Sequence, residues 1–283
     1  MKGCPLHCNW CANPEGIVPY RQVLYSAARC IQCYSCKDGC RNRAIQVHPP
    51  DCSLTIDDSS CRQCVGFECV DTCNYGALNI CGYYMAVNDL MRRIQRDRQY
   101  WGAKGGVTLS GGEPMCQYEF SKTLLKRCCD SFIHTCLETS GHAPWEYFEG
   151  VLGYLDWILF DLKHMDTNRH LSRTGVTNKL ILDNARKLSV QTKTHLLFRM
   201  PIIPGYNDSS WNIKQTAEFL KSIDRKEINI LPLHHLGSTK YGQLRWKYND
   251  AFQKTPSSEH MRNIGDLFSK YSITCYIGPD TPF

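Results

Sequence analysis

The chain has 283 residues, of which 42% are hydrophobic, and its formal net charge is +6. A chain of this length can bury a large apolar core in one domain, so it needs no disulfides to stay folded. Its 18 cysteines are therefore unusual, because such a density is typical of small secreted scaffolds. No apolar run is long enough to cross a membrane, and the N-terminus lacks a signal-peptide pattern. We expect a cytoplasmic protein whose cysteines bind metal, with too weak a positive charge for nucleic-acid binding.

The first cysteine group, in residues 1–25, has the spacing C-x3-C-x2-C and three members, Cys4, Cys8 and Cys11. A cubane of four irons held by three thiolates leaves one iron without a protein ligand, which a substrate or cofactor can occupy. Trp10 stands directly before Cys11 and is expected to shield the cluster. A zinc ion with three thiolates and a water is the alternative for this group alone.

The next segment, residues 26–84, contains two further groups that form an internal repeat. Their spacings are C-x2-C-x2-C-x3-C and C-x2-C-x4-C-x3-C, with the members Cys30, Cys33, Cys36 and Cys40, then Cys61, Cys64, Cys69 and Cys73. The spacing resembles that of bacterial ferredoxins, in which the fourth cysteine of each run binds the other cluster.

This repeat predicts a ferredoxin-like insert with two 4Fe–4S clusters. On the ferredoxin pattern, one cluster takes Cys30, Cys33, Cys36 and Cys73, and the other takes Cys40, Cys61, Cys64 and Cys69. Two structural zinc sites are the alternative, since four thiolates also make a tetrahedral zinc site. Cys52 and Cys81 lie nearby in the sequence and are not expected to be ligands.

Residues 85–283 alternate between helical and strand patterns, which predicts β-α units and a parallel sheet. Strands are predicted at Gly106–Leu109, Ile133–Leu137, Trp157–Phe160, His195–Phe198, Ile228–Leu231 and Ile273–Ile277. Helices are predicted around residues 87–94 and 120–128 and at Trp145–Leu152, Asn178–Leu188, Trp211–Ile223 and Glu259–Tyr271. Six such units favour an α/β fold of the partial (β/α)6 barrel type.

Polar residues follow five of the predicted strands. They are Gly111-Gly112-Glu113, Glu138-Thr139, Asp161-Leu162-Lys163, Arg199 and His234-His235. Each alone is typical of a solvated surface. Because the carboxyl ends of barrel strands form the active-site rim, five consecutive strands with such endings predict one shared site.

Taken together, these motifs resemble the radical S-adenosylmethionine (SAM) enzymes and, more narrowly, the activating enzymes of glycyl radical enzymes. The resemblance spans nearly the whole chain, through residues 3–15, 110–114, 161–163, 199–208 and 231–237. The insert marks the subgroup whose targets are glycyl radical enzymes other than formate acetyltransferase. Residues 61–69 and 278–283 most resemble activases of an arylacetate decarboxylase, 4-hydroxyphenylacetate decarboxylase.

The resemblance implies three 4Fe–4S clusters and SAM as cofactors. It implies that Cys4, Cys8 and Cys11 hold the cluster whose open iron binds the amino and carboxylate groups of SAM. The turn at Gly111, Gly112 and Glu113 would hold the methionyl ammonium, and Arg199 would balance the carboxylate. Of the remaining expected cofactor contacts, Glu138, Thr139, Asp161 and Lys163 line the ribose and carboxylate side, His234 lies by the adenine, and Trp10, Ala12 and Leu162 complete the set. Lys163 joins the three cysteines as an expected catalytic residue, and His235 has no counterpart in the family motif.

The family's reaction is reductive cleavage of SAM to a 5′-deoxyadenosyl radical, which removes hydrogen from a glycine of a large partner enzyme. A flavodoxin or ferredoxin is the expected electron donor, and the chain is expected to be a monomer that binds neither membrane nor nucleic acid. Two alternatives remain: a radical SAM enzyme acting on a small molecule or peptide, and a ferredoxin-like electron carrier.

One departure from the family pattern concerns the start of the sequence. In the family, a strand and an Asp-Gly-Pro-Gly-type loop precede the first cysteine motif, whereas this sequence begins two residues before Gly3. The first barrel strand is therefore expected to be missing. Because a lost strand exposes unpaired backbone groups, we expect the sequence as given to fold poorly or to lose activity.

Overall fold

The structure is a computed structural model that describes residues 1–48, 50, 53–102, 105–190, 194–248 and 254–282. Cys52 and the last residue of the C-terminal motif, Phe283, lie outside the described residues. No described helix is long and apolar enough to cross a bilayer.

The centre of the fold is a six-stranded parallel sheet with the order β10-β9-β8-β7-β6-β5. Its strands are β5 (Gly106–Leu109), β6 (His134–Thr139), β7 (Trp157–Asp161), β8 (His195–Ile202), β9 (Glu227–Pro232) and β10 (Thr274–Ile277). All six predicted strands are confirmed, and β8 extends four residues beyond the predicted end. The open sheet corresponds to the predicted partial barrel, whereas the expectation that a first barrel strand is missing stays a prediction.

Helices lie between the strands in the sequence. They are α4 (Val87–Asp97), α5 (Tyr118–Asp130), α6 (Trp145–Glu149), α7 (Thr167–Thr174), α8 (Lys179–Ser189), α9 (Ser210–Ser222), α10 (Ser238–Leu244) and α11 (Ser258–Lys270). All except α7 and α10 contribute buried side chains to the main core. The predictions missed α7 and α10, which are short and carry no apolar stripe. For α7 a local signal did exist: Asp166 caps the first turn by accepting from the Arg169 amide, and Gly175 ends the helix at φ 81°.

Alternation along the strands separates an apolar layer from a polar one on the inner face of the sheet. Cys136, Leu159 and Leu197 form a small buried cluster there. Two residues further along each strand, the same face carries Glu138, Asp161 and Arg199, since side chains i and i+2 share a face. The residues between them, such as Leu137 and Phe160, pack with the outer helices in the main core. The polar side chains therefore lie at the carboxyl ends of the strands, and the apolar cluster lies beneath them in the sheet.

The cysteine-rich insert has its own fold and core. Strand β1 (Gln22–Tyr25) directly precedes it and packs with it, and its own elements are α1 (Ser35–Asp38), β2 (Ile45–His48), β3 (Ser53–Ile56), α2 (Asp58–Cys61), α3 (Glu68–Asp71) and β4 (Leu78–Cys81). Strands β1 and β4 pair antiparallel, with Gln22 opposite Cys81 and Tyr25 opposite Leu78. Because these two strands pair, the start and the end of the insert lie side by side. Its core contains buried side chains that include Val23, Ile45 and Phe67.

Candidate active site

The loop that carries the first cysteine group is held at the strand ends by backbone hydrogen bonds. The Glu113 amide donates to the Gly3 carbonyl at 2.7 Å, and the His7 amide donates to the Thr174 carbonyl at 2.7 Å. The loop also closes on itself, because the Gly3 amide donates to the Gly16 carbonyl at 2.8 Å. These bonds fix the loop between the β5 end and the end of α7.

Two glycines permit this close approach. A Cβ atom on Gly112 would lie 2.3 Å from the Gly3 carbonyl oxygen and 2.4 Å from that of Gly16. A Cβ atom on Gly237, just before α10, would lie 2.7 Å from the Ala12 carbonyl oxygen. Any larger residue at either position would push the cysteine loop away from the barrel. The sequence motif contained Gly112, whereas the role of Gly237 was not predicted.

Helix α10 holds the far side of the same loop. The Lys240 ammonium donates to the Asn13 side chain at 2.9 Å and forms an ion pair with Glu15. Lys240 was not predicted as a site residue. Its contact partners are more than two hundred residues away in sequence, so no local pattern could have revealed them.

A cavity of about 410 Å³ lies between the cysteine loop and the strand ends. It is lined by most of the predicted site residues, namely Cys4, Cys8, Trp10, Cys11, Ala12, Gly111, Gly112, Glu138, Thr139, Asp161, Lys163, Arg199 and His234. It is also lined by residues without a predicted role, among them Ser110, Ser140, Pro201 and Leu233. Ser110 and Ser140 are directly adjacent in sequence to predicted site residues, and this adjacency could have indicated that they also line the cavity.

Two predicted residues do not line the cavity. Leu162 is buried in the main hydrophobic core, and its amide donates to the Arg199 carbonyl at 2.7 Å. The Glu113 carboxylate is fully buried and is turned toward the residues after β6. Both residues therefore stabilise the residues that line the cavity, and their own side chains do not face it.

The Glu113 carboxylate joins two turns of the site. It accepts hydrogen bonds from the Thr139 hydroxyl at 2.9 Å, from the Ser140 amide and hydroxyl at 2.8 and 2.6 Å, and from the Met115 amide at 3.2 Å. Burial raises the pKa of this carboxyl, although the hydrogen bonds oppose the shift. Glu113 thus couples the glycine turn after β5 to the turn after β6.

Two ion pairs lie on the barrel side of the cavity. Arg199 donates to Glu138 at 2.7 Å, and the Ser110 hydroxyl donates to the other Glu138 oxygen at 2.6 Å. The Lys163 ammonium lies 2.8 Å from the Asp161 carboxylate. Burial acts to lower the pKa of Lys163, but the Asp161 charge and the nearby Cys8 thiol outweigh it and raise the pKa. Lys163 is therefore a cation across the physiological pH range.

Aromatic side chains occupy two other walls. The buried Trp10 packs against Ile203, Leu233 and Cys8 and against Tyr206, with ring centroids 4.9 Å apart. His234 is exposed at the cavity. His235 instead hydrogen-bonds the Tyr248 hydroxyl at 2.8 Å, away from the cavity lining.

The insert brings its cysteines into two groups of four. The Cys36 thiol lies close enough to Cys30, Cys33 and Cys73 for their charges to interact, and we name this group the Cys30 quartet. Cys69 has the same relation to Cys40, Cys61 and Cys64, and these form the Cys61 quartet. In this grouping each quartet contains one cysteine from the other half of the repeat, and the charge of Cys69 also interacts with that of Cys36. The assignment of each quartet to one cluster stays a prediction.

The donor set of the cavity fits an iron–sulfur cluster and SAM. Three thiols face it, so a four-iron cluster would retain one iron without a protein ligand. On the opposite side are carboxylates, a lysine ammonium and the Arg199 guanidinium, whose Nε atom is buried without a partner among the described residues. An amino acid carboxylate and a ribose require such hydrogen-bonding groups.

Comparison with known proteins agrees with this geometry. Residues 65–220 match the model of the radical SAM superfamily, which is more than half of the chain. The chain therefore belongs to the radical SAM superfamily.

Relatives define its place in that superfamily. The chain is 38% identical over 287 residues to the 4-hydroxyphenylacetate decarboxylase activating enzyme of Clostridioides difficile, covering 100% of this chain and 90% of the relative. It is 36% identical to the indoleacetate decarboxylase activating enzyme of Tractidigestivibacter scatoligenes, covering 98% and 90%. A domain of the pyruvate-formate lyase-activating enzyme of Bacteroides vulgatus superposes with a TM-score of 0.51 at 35% identity, covering 62% of this chain and 99% of that domain.

Within the superfamily, the chain is an activating enzyme of glycyl radical enzymes. The predicted family, fold class and enzyme class are confirmed. Membership implies a 4Fe–4S cluster and SAM, and the substrate is a partner protein of the glycyl radical type.

Proposed function

We propose that this activase uses three 4Fe–4S clusters and that its partner is an arylacetate decarboxylase. One observation carries the proposed site: the thiols of Cys4, Cys8 and Cys11 and the pairs Glu138–Arg199 and Asp161–Lys163 line the same cavity. When bound there, the reduced cluster supplies the electron that cleaves SAM to methionine and a 5′-deoxyadenosyl radical. The three cysteines hold the cluster, and the strand ends orient SAM against it.

The site residues have distinct binding roles in this proposal. The Arg199 guanidinium pairs with Glu138 through one nitrogen and lines the cavity, so its other N–H groups can also bind the carboxylate of SAM. Lys163 and Asp161 compensate each other in the resting site and offer a donor and an acceptor to the bound molecule. His234 lies beside the adenine at the exposed rim.

Apolar groups keep water away from the reacting atoms. Cys136, Leu159 and Leu197 form the floor beneath the ion pairs, and the buried Trp10 closes the wall next to Cys8. A carbon radical reacts with most groups that it contacts. A site that excludes water and is open on one side therefore favours reaction of the radical with the partner's glycine. The open side is where the partner's glycine loop would arrive.

The cluster count rests on the two quartets of the insert. Eight cysteines in two matched groups, each ending in C-x3-C, have ligand spacing that resembles that of bacterial ferredoxins. This spacing favours a cluster over a zinc ion in each quartet. The insert, residues 26–84, would then be a two-cluster domain between the loop of residues 1–25 and the barrel of residues 85–283.

The partner proposal rests on the relatives. Two of them are named as activating enzymes of 4-hydroxyphenylacetate and indoleacetate decarboxylases. The cluster-loaded and reduced activase should be incubated with SAM and each decarboxylase. Electron paramagnetic resonance should then show the doublet spectrum of a glycyl radical. Activation of (2S)-3-sulfopropanediol dehydratase, the target named for a third relative, but of neither decarboxylase would overturn this choice.

Two further parts of the proposal concern assembly. The chain acts as a monomer that docks on its partner, and a flavodoxin or ferredoxin supplies its electrons. Light scattering of the chain alone and reduction kinetics with each donor test these two statements separately.

A further inference from the structure

The Cys30 quartet reaches the surface of the insert. Cys33 is exposed, whereas all four members of the Cys61 quartet are buried or half-buried. The small cavity within the Cys30 quartet is bordered by Ile31 and Tyr75. These side chains are 54% and 56% exposed, so two large apolar groups stand in solvent beside an exposed ligand cysteine.

Basic groups flank this apolar spot. Arg29 and Lys37 are both exposed, and neither forms an ion pair within the described part of the chain. The Arg29 guanidinium lies beside Gly76, the neighbour of Tyr75, because a Cβ atom on Gly76 would come within 3.8 Å of it. Lys37 directly follows Cys36 on α1. The surface around Cys33 is therefore apolar at its centre, and its margin carries two cations and one exposed carboxylate, Asp38, which leaves it with a net positive charge.

The Cys61 quartet lies on the side of the insert that contacts Arg245, the residue after α10. Cys61 is close to the Arg245 guanidinium, which pairs with Asp58 and donates to the Val23 carbonyl at 3.1 Å. Arg245 directly follows α10, and the start of that helix packs on Ala12. The charges of Cys36 and Cys69 also interact, so the two quartets are neighbours. The order from solvent to cavity is the Cys30 quartet, the Cys61 quartet, α10 and the cysteine loop.

We propose that the surface formed by Arg29, Ile31, Cys33, Lys37 and Tyr75, here named the donor surface, binds a small acidic electron-carrier protein. This inference rests on the proposed function, because it requires clusters in the insert. The carrier gives up one electron and is oxidised by one unit, and the chain accepts that electron at the Cys30 quartet. An apolar centre with charged margins is suited to a weak, transient complex in which charge guides the encounter.

Charge complementarity identifies the partner as the electron carrier. The glycyl radical partner must place a glycine at the cavity. The Cys61 quartet, α10 and the cysteine loop separate this cavity from the Cys30 quartet. An acidic carrier, by contrast, must approach a redox centre that reaches the surface, and Cys33 offers one. The positive margin favours a negatively charged protein.

The test uses the cluster-loaded full chain and purified flavodoxin as the probe. Dissociation constants are measured by titration calorimetry, and the reduction rate of the iron–sulfur absorbance is followed in a stopped-flow instrument. Lys37→Glu and Tyr75→Ser should each weaken flavodoxin binding roughly tenfold and slow cluster reduction to a similar extent. Added salt should weaken binding to the wild type more than to Lys37→Glu, because ions screen the attraction.

Tyr83→Ser provides the matched control, since Tyr83 is 76% exposed outside the donor surface. It should leave binding and reduction unchanged. Iron content and SAM cleavage with dithionite should equal the wild-type values in all three variants. Unchanged flavodoxin binding in both Lys37→Glu and Tyr75→Ser, or equal weakening by Tyr83→Ser, would overturn the donor surface. Failure of SAM cleavage with dithionite in the wild type would instead count against the proposed function.

Discussion

A buried carboxylate that never faces the cavity is expected to control the cofactor site. Glu113 accepts its hydrogen bonds from Met115, Thr139 and Ser140, and its own amide holds the Gly3 carbonyl. The same residue therefore connects the cysteine loop, the glycine turn and the turn after β6. Its effect on SAM would act through the positions of these turns.

Glu113→Ala should weaken SAM binding and leave the iron content unchanged. The variant leaves buried donors unpaired, each at a cost of about 1–3 kcal/mol, so the melting temperature should fall as well. His234→Ala, at an exposed position, should weaken SAM binding without lowering the melting temperature. Equilibrium binding of SAM, iron analysis and thermal unfolding separate the two cases. Wild-type affinity in either variant would contradict its place at the site.

His170 predicts a pH dependence of stability. Burial is the main cause that lowers the pKa of this histidine to about 4, although the Val176 carbonyl, 2.7 Å from its Nδ1 atom, opposes the shift. The unfolded chain takes up the proton below about pH 6.5 and the folded chain only below about pH 4. This contribution is therefore fully present above pH 6.5 and is lost as the pH falls toward 4.

Between pH 7.5 and 6.0 the wild type should lose about 0.8 kcal/mol through His170. His170→Gln lacks this titration, so its urea unfolding midpoint should fall less over the same range. Equal pH dependence in the two proteins would show that His170 does not titrate as its burial implies.

At the scale of elements, the insert raises the question of whether its quartets relay electrons or only stabilise the fold. Metal binding free energy can be folding free energy, so both roles are physically reasonable. Replacing Cys30, Cys33 and Cys36 by alanine separates them. As a relay, the variant should lose activation with flavodoxin or ferredoxin and keep part of its SAM cleavage with dithionite, which can reach the first cluster directly.

The measurement is 5′-deoxyadenosine release with each reductant, on variant protein shown to retain its first cluster. Equal loss with both reductants, or loss of soluble protein, would indicate a purely structural role. The insert also has structural contacts, because Arg245, directly after α10, pairs with Asp58 of the insert, and Lys240 of α10 contacts the cysteine loop.

For the whole molecule, the metal content tests the proposed number of clusters. Anaerobic reconstitution should load about twelve irons and about twelve sulfides, four of each for every predicted cluster. Replacing Cys4, Cys8 and Cys11 by alanine should remove about a third of the iron and abolish all SAM cleavage, because the two quartets are unaffected. Stoichiometric zinc in place of iron would refute the clusters.

Local patterns predicted most of the architecture. The six strands were found because alternating and continuous apolar runs reflect burial in a sheet, and the cysteine groups were found because ligand spacing is itself local. Boundaries and short helices were less accessible. Helix α7 has eight residues and α10 has seven, and two turns are too few for a periodic apolar face to stand out.

The sequence by itself determined the cysteine motifs, the six β-α units and the polar strand ends, because each depends on neighbours within a few residues. Only the tertiary structure decided which of these groups share a cavity. It turned Glu113 and Leu162 away from the cavity, brought Gly237 and Lys240 onto the cysteine loop, and left Cys33 of the Cys30 quartet exposed. Such contacts join residues far apart in sequence, and they depend on packing and backbone hydrogen bonds that a local pattern does not encode.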